Sequence, residues 1–390
     1  MSDPAMGESL SVGIVCYPSL GGSGVVAAEL ANGLAARGHA VHVIASAPPG
    51  RALTDAANLR FHRVAVPDHP VFEHPPYELA VAGTIVEVAA AQRLDLLHVH
   101  YAVPHAASAH LARQTLGAAA PRLVVTLHGS DVTGIGLDPR YRAVTRFAIA
   151  AADAVTVPSA WLRDEARRLL ELDAIEVVPN FVDTATFTPP RSSLSQRSHF
   201  DGLFPAGGER GPVLFHVSNF RPVKRPGDLI EVLARVRRAL PARLVLVGDG
   251  PERAATASRA AELGVAEHVA FAGPLPAAAE LLRSADAFLL TSESESFGVA
   301  ALEALSSGVP VFAYRVGGLP DVVADGTGAL VDPFDVAALA DAVVVALREP
   351  GRRAALGRAA RAHVLHHFQA AAAVQRYEAC YRRVMESRSQ

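Results

Sequence analysis

Two glutamates, Glu295 and Glu303, bracket a Ser-Phe-Gly turn in the second half of the chain. The apolar run before them predicts a strand over 287–290, and the residues after the turn predict a helix over 299–305. Gly298 lacks a Cβ and precedes that helix, so a ligand phosphate can approach the free amides and the positive end of the helix dipole. The two carboxylates can accept hydrogen bonds from the hydroxyls of a sugar and of a ribose. The pattern predicts a nucleotide-sugar site; the alternative is a solvated acidic loop followed by an ordinary surface glutamate.

A basic loop follows the strand predicted over 213–217. Its residues 218–225 include three cations, Arg221, Lys224 and Arg225. Lys224 is the candidate to meet a diphosphate and to stabilise the charge that grows on a departing nucleotide. The alternative is a basic loop that opens a surface helix.

A glycine-rich segment, 21–24, follows the first predicted strand and opens a helix, which makes it a second place where an anion can bind. From Gly22 to Ala27 it also matches G-x-G-x-x-A, the pattern with which dehydrogenases bind NAD. That function needs an acidic residue at the end of the next strand, and the segment 41–46 ends without one. The pattern therefore disfavours a dehydrogenase without excluding it.

Four histidines suggest metal ligands by their closeness in the sequence: His98, His100, His105 and His110. No acidic or cysteine partner completes a known metal-binding spacing, so no metal site is predicted. His128 ends the strand predicted over 123–127, where its ring can hydrogen-bond a transferred sugar. A core or capping histidine is the alternative there.

The composition excludes several classes of protein. A chain of 390 residues with 50% hydrophobic content is long enough for two domains with separate cores. A formal net charge of -3 argues against a nucleic-acid surface. Residues 1–10 lack the features of a signal peptide, and no uncharged apolar run reaches the roughly 18 residues that a membrane span requires. With two cysteines and no disulfide framework, the sequence predicts a cytoplasmic protein with no cofactor and no nucleic-acid or membrane partner.

Strand-like and helical runs alternate through both halves, which predicts an α/β fold with parallel sheets covered by helices on both faces. The predicted strands are 11–16, 41–45, 96–100, 123–127, 154–157, 176–178, 213–217, 244–247, 268–271, 287–290 and 309–313. In such folds ligands bind at the carboxyl ends of the strands, so we expect the active site in a cleft between two doubly wound domains.

The periodicity fails in a stretch rich in proline, glycine and serine, which predicts a linker over 189–211. Residues 1–188 are then expected to form an N-terminal domain and residues 212–367 a C-terminal domain. A further helix is expected over about 368–390.

Three motifs in order resemble those of the retaining glycosyltransferases with the GT-B fold. They are the Glu, seven residues, Glu signature of Glu295 and Glu303, the Gly-Val-Pro-Val strand at 308–311 and the Gly-Gly turn at 317–318. The resemblance implies two Rossmann-like domains that face each other across a cleft, with residues 1–188 binding the acceptor and residues 212–367 binding the donor. It also implies that the helix over about 368–390 returns to the first domain. It also implies that Glu295 contacts the donor sugar, that Glu303 contacts the ribose, and that no enzymic nucleophile is required.

The same resemblance implies the donor site. Many members of the family place an arginine five residues before the lysine, where this chain has Asn219, and Arg221 is the candidate to supply that charge. The implied catalytic residues are Lys224, Glu295 and His128. The implied donor-binding residues are Gly22, Ser218, Asn219, Arg221, Lys224, Gly248, Gly273, Glu295, Ser296, Phe297, Gly298 and Glu303.

Further motifs are similar to one branch of the family, which transfers N-acetylglucosamine from UDP-GlcNAc to L-malate as the first step of bacillithiol biosynthesis. They are the segments 16–19, 21–24, 100–105, 127–131, 146–149, 180–183 and 216–221. Malate is a small dianion, so its pocket must offer a cation and several donors. The residues implied for that pocket are Ser23, Tyr101, Thr126, Arg146 and Asn180.

Three other functions stay open at this point. The acceptor can be another small molecule such as an inositol phosphate or a sugar phosphate. A UDP-sugar epimerase or a non-catalytic nucleotide-binding protein can have the same two-domain architecture. The sequence leaves the oligomeric state open, and a homo-oligomer is possible.

Overall fold

A computed structural model describes residues 9–19, 21–66, 68, 70–190, 197–200, 202–205, 211–275 and 278–387 of the protein. The contacts between residues divide the chain into two compact units. The first comprises Met1–Asn180 and Ala370–Gln390, and the second comprises Phe181–Gln369.

The first unit is built on a seven-stranded sheet in the order β3-β2-β1-β4-β5-β6-β7, and every neighbouring pair of strands is parallel. The strands are β1 Ser11–Val15, β2 Ala40–Ala45, β3 Leu59–Arg63, β4 Leu96–His100, β5 Arg122–Thr126, β6 Ala154–Val157 and β7 Glu176–Val177. The helices that follow them are α1 Ser23–Ala36, α2 Tyr77–Gln92, α3 Ala107–Leu116, α4 Pro139–Ala150 and α5 Ala160–Leu170. Ser159 caps α5, because its hydroxyl accepts a hydrogen bond from the amide of Leu162 at 3.1 Å.

The second unit repeats this design with a six-stranded parallel sheet in the order β10-β9-β8-β11-β12-β13. Its strands are β8 Val213–Val217, β9 Arg243–Val247, β10 Val269–Gly273, β11 Ala287–Leu290, β12 Val311–Tyr314 and β13 Gly328–Val331. Its helices are α6 Pro226–Val236, α7 Arg253–Glu262, α8 Ala278–Leu282, α9 Val299–Ser306, α10 Leu319–Val322, α11 Val336–Arg348 and α12 Pro350–His367. Side chains of β8, β9, β11 and β12 form a buried apolar core with α6 and α9.

The last helix, α13 Ala370–Glu386, packs on the first unit. Its buried Glu378 accepts a hydrogen bond from Arg37 at 2.6 Å and lies 3.1 Å from the ring of His39. Gly33 lets α1 approach α13 closely, since a Cβ at this glycine would stand 2.5 Å from the side chain of Val374. The terminal helix is therefore a structural part of the first unit.

The structure confirms the predicted strands, with ends that shift by no more than two residues. Two strands at sheet edges were not predicted. In β3, charged residues alternate with Leu59 and Phe61, so no apolar run marks it; β13 is short and begins at Gly328.

The change from one unit to the other occurs at 180–181 and 369–370, slightly away from the predicted borders at 188 and 368. Residues before 188 pack on the second unit because Phe187 is buried in its core. Arg361 also donates to the carbonyl oxygens of Phe187 and Thr184 at 2.7 and 2.9 Å. Much of the predicted linker, 189–211, lies outside the described residues.

Candidate active site

The basic loop of the second unit begins where β8 ends. It turns through Ser218 to Arg221, forms a short 3-10 turn over Pro222–Lys224 and enters α6. Lys224 is the only lysine among the 36 lysines and arginines of the chain. The side chains of Asn219 and Arg221 are exposed, so they remain available to a ligand.

Lys224 contacts Glu295, which lies in the loop between β11 and α9. Its Nζ donates to Glu295 Oε1 across 2.5 Å, and the two side chains are 22% and 12% exposed. Ser292 donates to the same carboxylate oxygen at 2.7 Å. The structure therefore brings together the two second-unit residues that the sequence motifs predict to be catalytic.

The backbone around Glu295 is fixed by its neighbours. The amide of Glu293 donates to the carbonyl oxygen of Val223 at 2.8 Å, which joins this loop to the basic loop. The amide of Gly318 donates to the carbonyl oxygen of Glu295, also at 2.8 Å. The predicted Gly-Gly turn thus holds the loop that carries the glutamate.

Gly298 begins α9 in a left-handed conformation, with φ of 96°, and a Cβ there would stand 2.5 Å from the side chain of Leu319. A bulkier residue would block both the turn and the approach of a ligand to the helix start. Phe297 is buried beneath the turn, and Ser296 and Glu303 are half-buried. Glu303 is the fifth residue of α9, about 7.5 Å along the axis from Gly298 at 1.5 Å per residue.

Glycines at the ends of β9 and β10 bring two more loops against the basic loop. The amide of Gly248 donates to the carbonyl oxygen of Gly273 at 2.8 Å. A Cβ on Gly248 would stand 1.8 Å from the carbonyl oxygen of Ser218, and one on Gly250 would stand 1.9 Å from that of Asn219. The predicted donor-binding residues of these loops are therefore neighbours at the carboxyl ends of adjacent strands.

Sequence reasoning missed the residues that support the two loops. His216 Nδ1 donates to the carbonyl oxygen of Leu289 at 2.8 Å, and its Nε2 accepts from the Ser218 hydroxyl at 2.8 Å. Burial lowers the pKa of His216 to about 4, so the ring is neutral near pH 7. The sequence signal for His216 was a histidine inside the otherwise apolar strand β8. A second signal was the pair of hydroxyl residues Thr291 and Ser292 directly after β11, which the structure shows to be buried.

In the first unit the glycine-rich loop precedes α1. Gly22 has φ of 59° and is exposed, with open space around the position of its missing Cβ. Ser23 is the first residue of α1 and is buried. Gly24 is enclosed, since a Cβ there would stand 2.7 Å from the carbonyl oxygen of Tyr17.

His128 lies in a buried group of histidines at the carboxyl ends of β4 and β5. Its Nε2 is 2.8 Å from His100 Nδ1, and the ring of Tyr101 lies 5.2 Å away between centroids. Burial lowers the pKa of His128 to about 3, which makes its ring neutral. Asp131 accepts from the backbone amides of His128 and Gly129, and burial raises the pKa of its carboxyl to about 6.

The other histidines that resembled metal ligands have structural partners. His98 contacts the hydroxyls of Tyr381 and Thr126 at 2.7 and 2.6 Å, and His105 Nδ1 donates to the carbonyl oxygen of His100 at 2.7 Å. Within the described ranges, no group of three His, Cys, Asp or Glu side chains has the arrangement of a metal site. Cys16 and Cys380 are both buried and unpaired by any disulfide.

The remaining residues predicted for the acceptor differ in their surroundings. Thr126 is buried, and its hydroxyl oxygen lies 2.6 Å from His98 Nε2 and 2.6 Å from the hydroxyl oxygen of Thr156, so it is engaged inside the protein. Asn180 is buried, and its Oδ1 has no hydrogen-bond partner among the described residues. Arg146, on α4, is 41% exposed and pairs with Glu171 at 2.7 Å.

Among the described helices, none combines the length and the apolar character that crossing a membrane demands.

Comparison with known families matches both units. The model described as Glycosyltransferase Family 4 matches residues 20–186, and the model described as Glycosyl transferases group 1 matches residues 205–363.

Two curated proteins are similar over most of their length. The N-acetyl-alpha-D-glucosaminyl L-malate synthase of Bacillus anthracis is 40% identical over 374 residues, which are 95% of this chain and 96% of that protein. A D-inositol 3-phosphate glycosyltransferase of Acidothermus cellulolyticus is 34% identical over 385 residues, with 88% of this chain and 82% of that protein covered. Among solved structures, a sucrose-phosphate synthase from Thermosynechococcus elongatus superposes with a TM-score of 0.79 at 23% identity, over 97% of this chain and 100% of that one. The structural likeness confirms the predicted fold of two doubly wound domains of the GT-B type.

Proposed function

The chain belongs to glycosyltransferase family 4, and we propose that it transfers N-acetylglucosamine from UDP-GlcNAc to the hydroxyl of L-malate with retention at the anomeric carbon. This reaction would be the first step of bacillithiol biosynthesis. The name of the Bacillus anthracis relative and its 40% identity over nearly the whole chain support the choice of acceptor.

The observation that carries the donor side is the contact between Lys224 and Glu295 at the carboxyl ends of β8 and β11. An ammonium at this place can neutralise the diphosphate, and a carboxylate held beside it can accept from hydroxyls of the transferred sugar. The backbone amides directly after Gly298 lie in the first turn of α9 and suit an anion. Glu303, further along α9, is assigned to the ribose.

The proposed reaction breaks the bond between the anomeric carbon and the UDP oxygen, and the malate hydroxyl oxygen forms the new bond on the same face of the sugar. The departing phosphate oxygen receives the proton of that hydroxyl. No side chain has to act as a nucleophile. Catalysis then consists of positioning and of stabilising the charge on UDP, for which Lys224 supplies the full positive charge.

The first unit supplies the acceptor groups in this proposal. His128 is neutral, so it can donate or accept one hydrogen bond with a hydroxyl of the sugar. Arg146 is assigned to a malate carboxylate, because an exposed guanidinium can exchange Glu171 for a bidentate ligand. Asn180, whose Oδ1 lacks a partner among the described residues, is assigned to a donor group of the ligands.

A panel of nucleotide sugars against small hydroxy acids and phosphorylated polyols, monitored for free UDP, tests the proposal. We expect UDP release only with UDP-GlcNAc and malate together. Release with an inositol phosphate instead would favour the activity named for the Acidothermus relative. Lys224→Ala and Glu295→Ala should each abolish the release without loss of folded protein by circular dichroism, and near-normal turnover of either variant would refute the assigned site.

A further inference from the structure

Two buried hydroxyl residues, Thr291 and Ser292, lie between the basic loop and the loop of Glu295. Both follow β11 directly and are fully buried, whereas the next residue, Glu293, is exposed. Hydroxyl side chains in such a place need hydrogen-bond partners. Their partners are the two loops that carry Lys224 and Glu295.

Thr291 holds the backbone of the basic loop. Its Oγ1 lies 3.2 Å from the carbonyl oxygen of Lys224 and 3.1 Å from that of Arg225. Arg225 is fixed further by Asp228, which accepts from its guanidinium at 2.8 and 3.1 Å and from the Tyr314 hydroxyl at 2.8 Å. The position from which the Lys224 side chain extends is thereby set.

Ser292 instead fixes the side chain of Glu295. Its hydroxyl and the Lys224 ammonium both donate to Glu295 Oε1, at 2.7 and 2.5 Å. No donor from the described part of the chain reaches the other oxygen, Oε2. The carboxylate is therefore anchored through one oxygen, and the second oxygen remains available to a ligand.

Binding of the nucleotide sugar should affect the two hydrogen bonds to Glu295 Oε1 differently. In the proposed function Lys224 serves the diphosphate, which weakens its bond to Glu295. A carboxylate that is only 12% exposed is costly to leave without donors. Ser292 is fully buried and its hydroxyl already donates to Glu295 Oε1, so we expect this bond to persist through the exchange.

We propose that Ser292 is a positioning residue that keeps Glu295 Oε1 bound while Lys224 turns to the diphosphate, so that Oε2 faces the hydroxyls of the hexose. The inference rests on the proposed function, and it deepens it by assigning hexose recognition to a hydroxyl that does not touch the sugar. It follows that loss of Ser292 weakens the binding of a nucleotide sugar and spares the binding of the nucleotide alone.

Binding of UDP-GlcNAc and of UDP to the full-length protein, measured by calorimetry, tests this. We expect Ser292→Ala to raise the Kd for UDP-GlcNAc about tenfold, since a hydrogen bond to a charged group is lost, and to change the Kd for UDP less than about twofold. The control is Ser284→Ala. Ser284 is also buried and hydrogen-bonded, but it precedes β11 at the opposite end of the strand.

A double substitution separates positioning from a general effect on packing. If Ser292 acts through Glu295, adding Ser292→Ala to Glu295→Ala should leave the Kd for UDP-GlcNAc unchanged within about twofold. Equal losses for UDP and UDP-GlcNAc, no effect of Ser292→Ala, or a further loss in the Glu295→Ala background would each overturn the inference. A wild-type protein that binds no UDP-hexose would remove the proposed function together with it.

Discussion

Gly317 leaves no room for a side chain beside Glu295: a Cβ at this glycine would stand 1.9 Å from the Glu295 carbonyl oxygen. The φ angle of Gly317 is 55°, which L-residues with a side chain rarely adopt. The Gly-Gly turn of the sequence signature therefore exists for a steric reason. It lets the chain after β12 press against the backbone of the residue assigned to the donor sugar.

Substitution of Gly317 should damage both stability and the donor site. We expect Gly317→Ala to lower the free energy of unfolding by about 3 kcal/mol, because left-handed strain and a backbone clash add together, and to abolish UDP-GlcNAc binding. Gly326→Ala is the matched control, since Gly326 has φ of 81° but open space around its Cβ position. Gly326→Ala should lower the free energy of unfolding by about 1 kcal/mol and leave UDP-GlcNAc binding intact. Urea unfolding and calorimetry measure both effects, and equal losses for the two variants would show that the clash is absent.

Arg146→Ala should affect the acceptor more than the donor. Loss of a charge-assisted hydrogen-bond pair to a carboxylate predicts a KM for malate about tenfold or more above that of the wild type, with the KM for UDP-GlcNAc within about threefold. Arg142→Ala is the control on the same helix, where Arg142 donates to the carbonyl oxygen of Leu169 at 2.9 Å. Equal rises in both KM values would contradict the assignment of Arg146 to malate.

The buried His216 makes stability depend on pH in a defined direction. Burial lowers the pKa of His216 from 6.5 to about 4. Between pH 4 and pH 6.5 this histidine is therefore protonated in the unfolded chain and neutral in the folded protein. The contribution of the neutral ring to the free energy of unfolding is complete above pH 6.5. Up to about 3 kcal/mol of it is lost as the pH falls toward 4. His216→Gln cannot titrate, so its stability deficit against the wild type should shrink as the pH falls.

Urea midpoints near pH 7 and at pH values down to about 4.5 measure this. His74→Gln, at an exposed histidine, provides the control and should follow the wild type at each pH. A deficit of His216→Gln that stays constant over the whole range would rule out a neutral buried ring at this position.

The single lysine of the chain gives a chemical test of the donor site. Acylation of amines can modify only Lys224 and the α-amino group of the chain, and mass spectrometry distinguishes the two. If the ammonium meets the diphosphate, UDP-GlcNAc should slow acylation of Lys224 about tenfold or more and leave the α-amino group unaffected, which serves as an internal control. Equal reactivity of Lys224 with and without the nucleotide sugar would argue that the diphosphate binds elsewhere.

The fold was largely predictable because the central strands of both sheets are apolar runs of ordinary length. Strands β4, β6, β8 and β11 have the predicted bounds. The edge strand β3 was missed because its side chains face water in part and alternate with arginine and histidine. Its place in the sheet is set by pairing with β2, which no local pattern reveals.

The candidate site was predictable only in part. Residue types and glycine turns identified Lys224 and Glu295 separately, but their contact joins positions 71 residues apart and depends on the order of strands in the sheet. Ser292 and His216 were missed because buried serine and histidine are common in cores, and only their partners show that they support the site. Thr126 was predicted for the acceptor, and the structure shows its hydroxyl engaged with His98 and Thr156.

The proton NMR spectrum of the product formed from UDP-GlcNAc and L-malate is the most direct test of the proposed transfer, because it reports donor, acceptor and stereochemistry together. We expect a single O-linked N-acetylglucosaminyl malate whose anomeric proton shows the small coupling of the α configuration, formed by the wild type and not by Lys224→Ala. A β-linked product, free N-acetylglucosamine in place of a glycoside, or the same product from Lys224→Ala would contradict it.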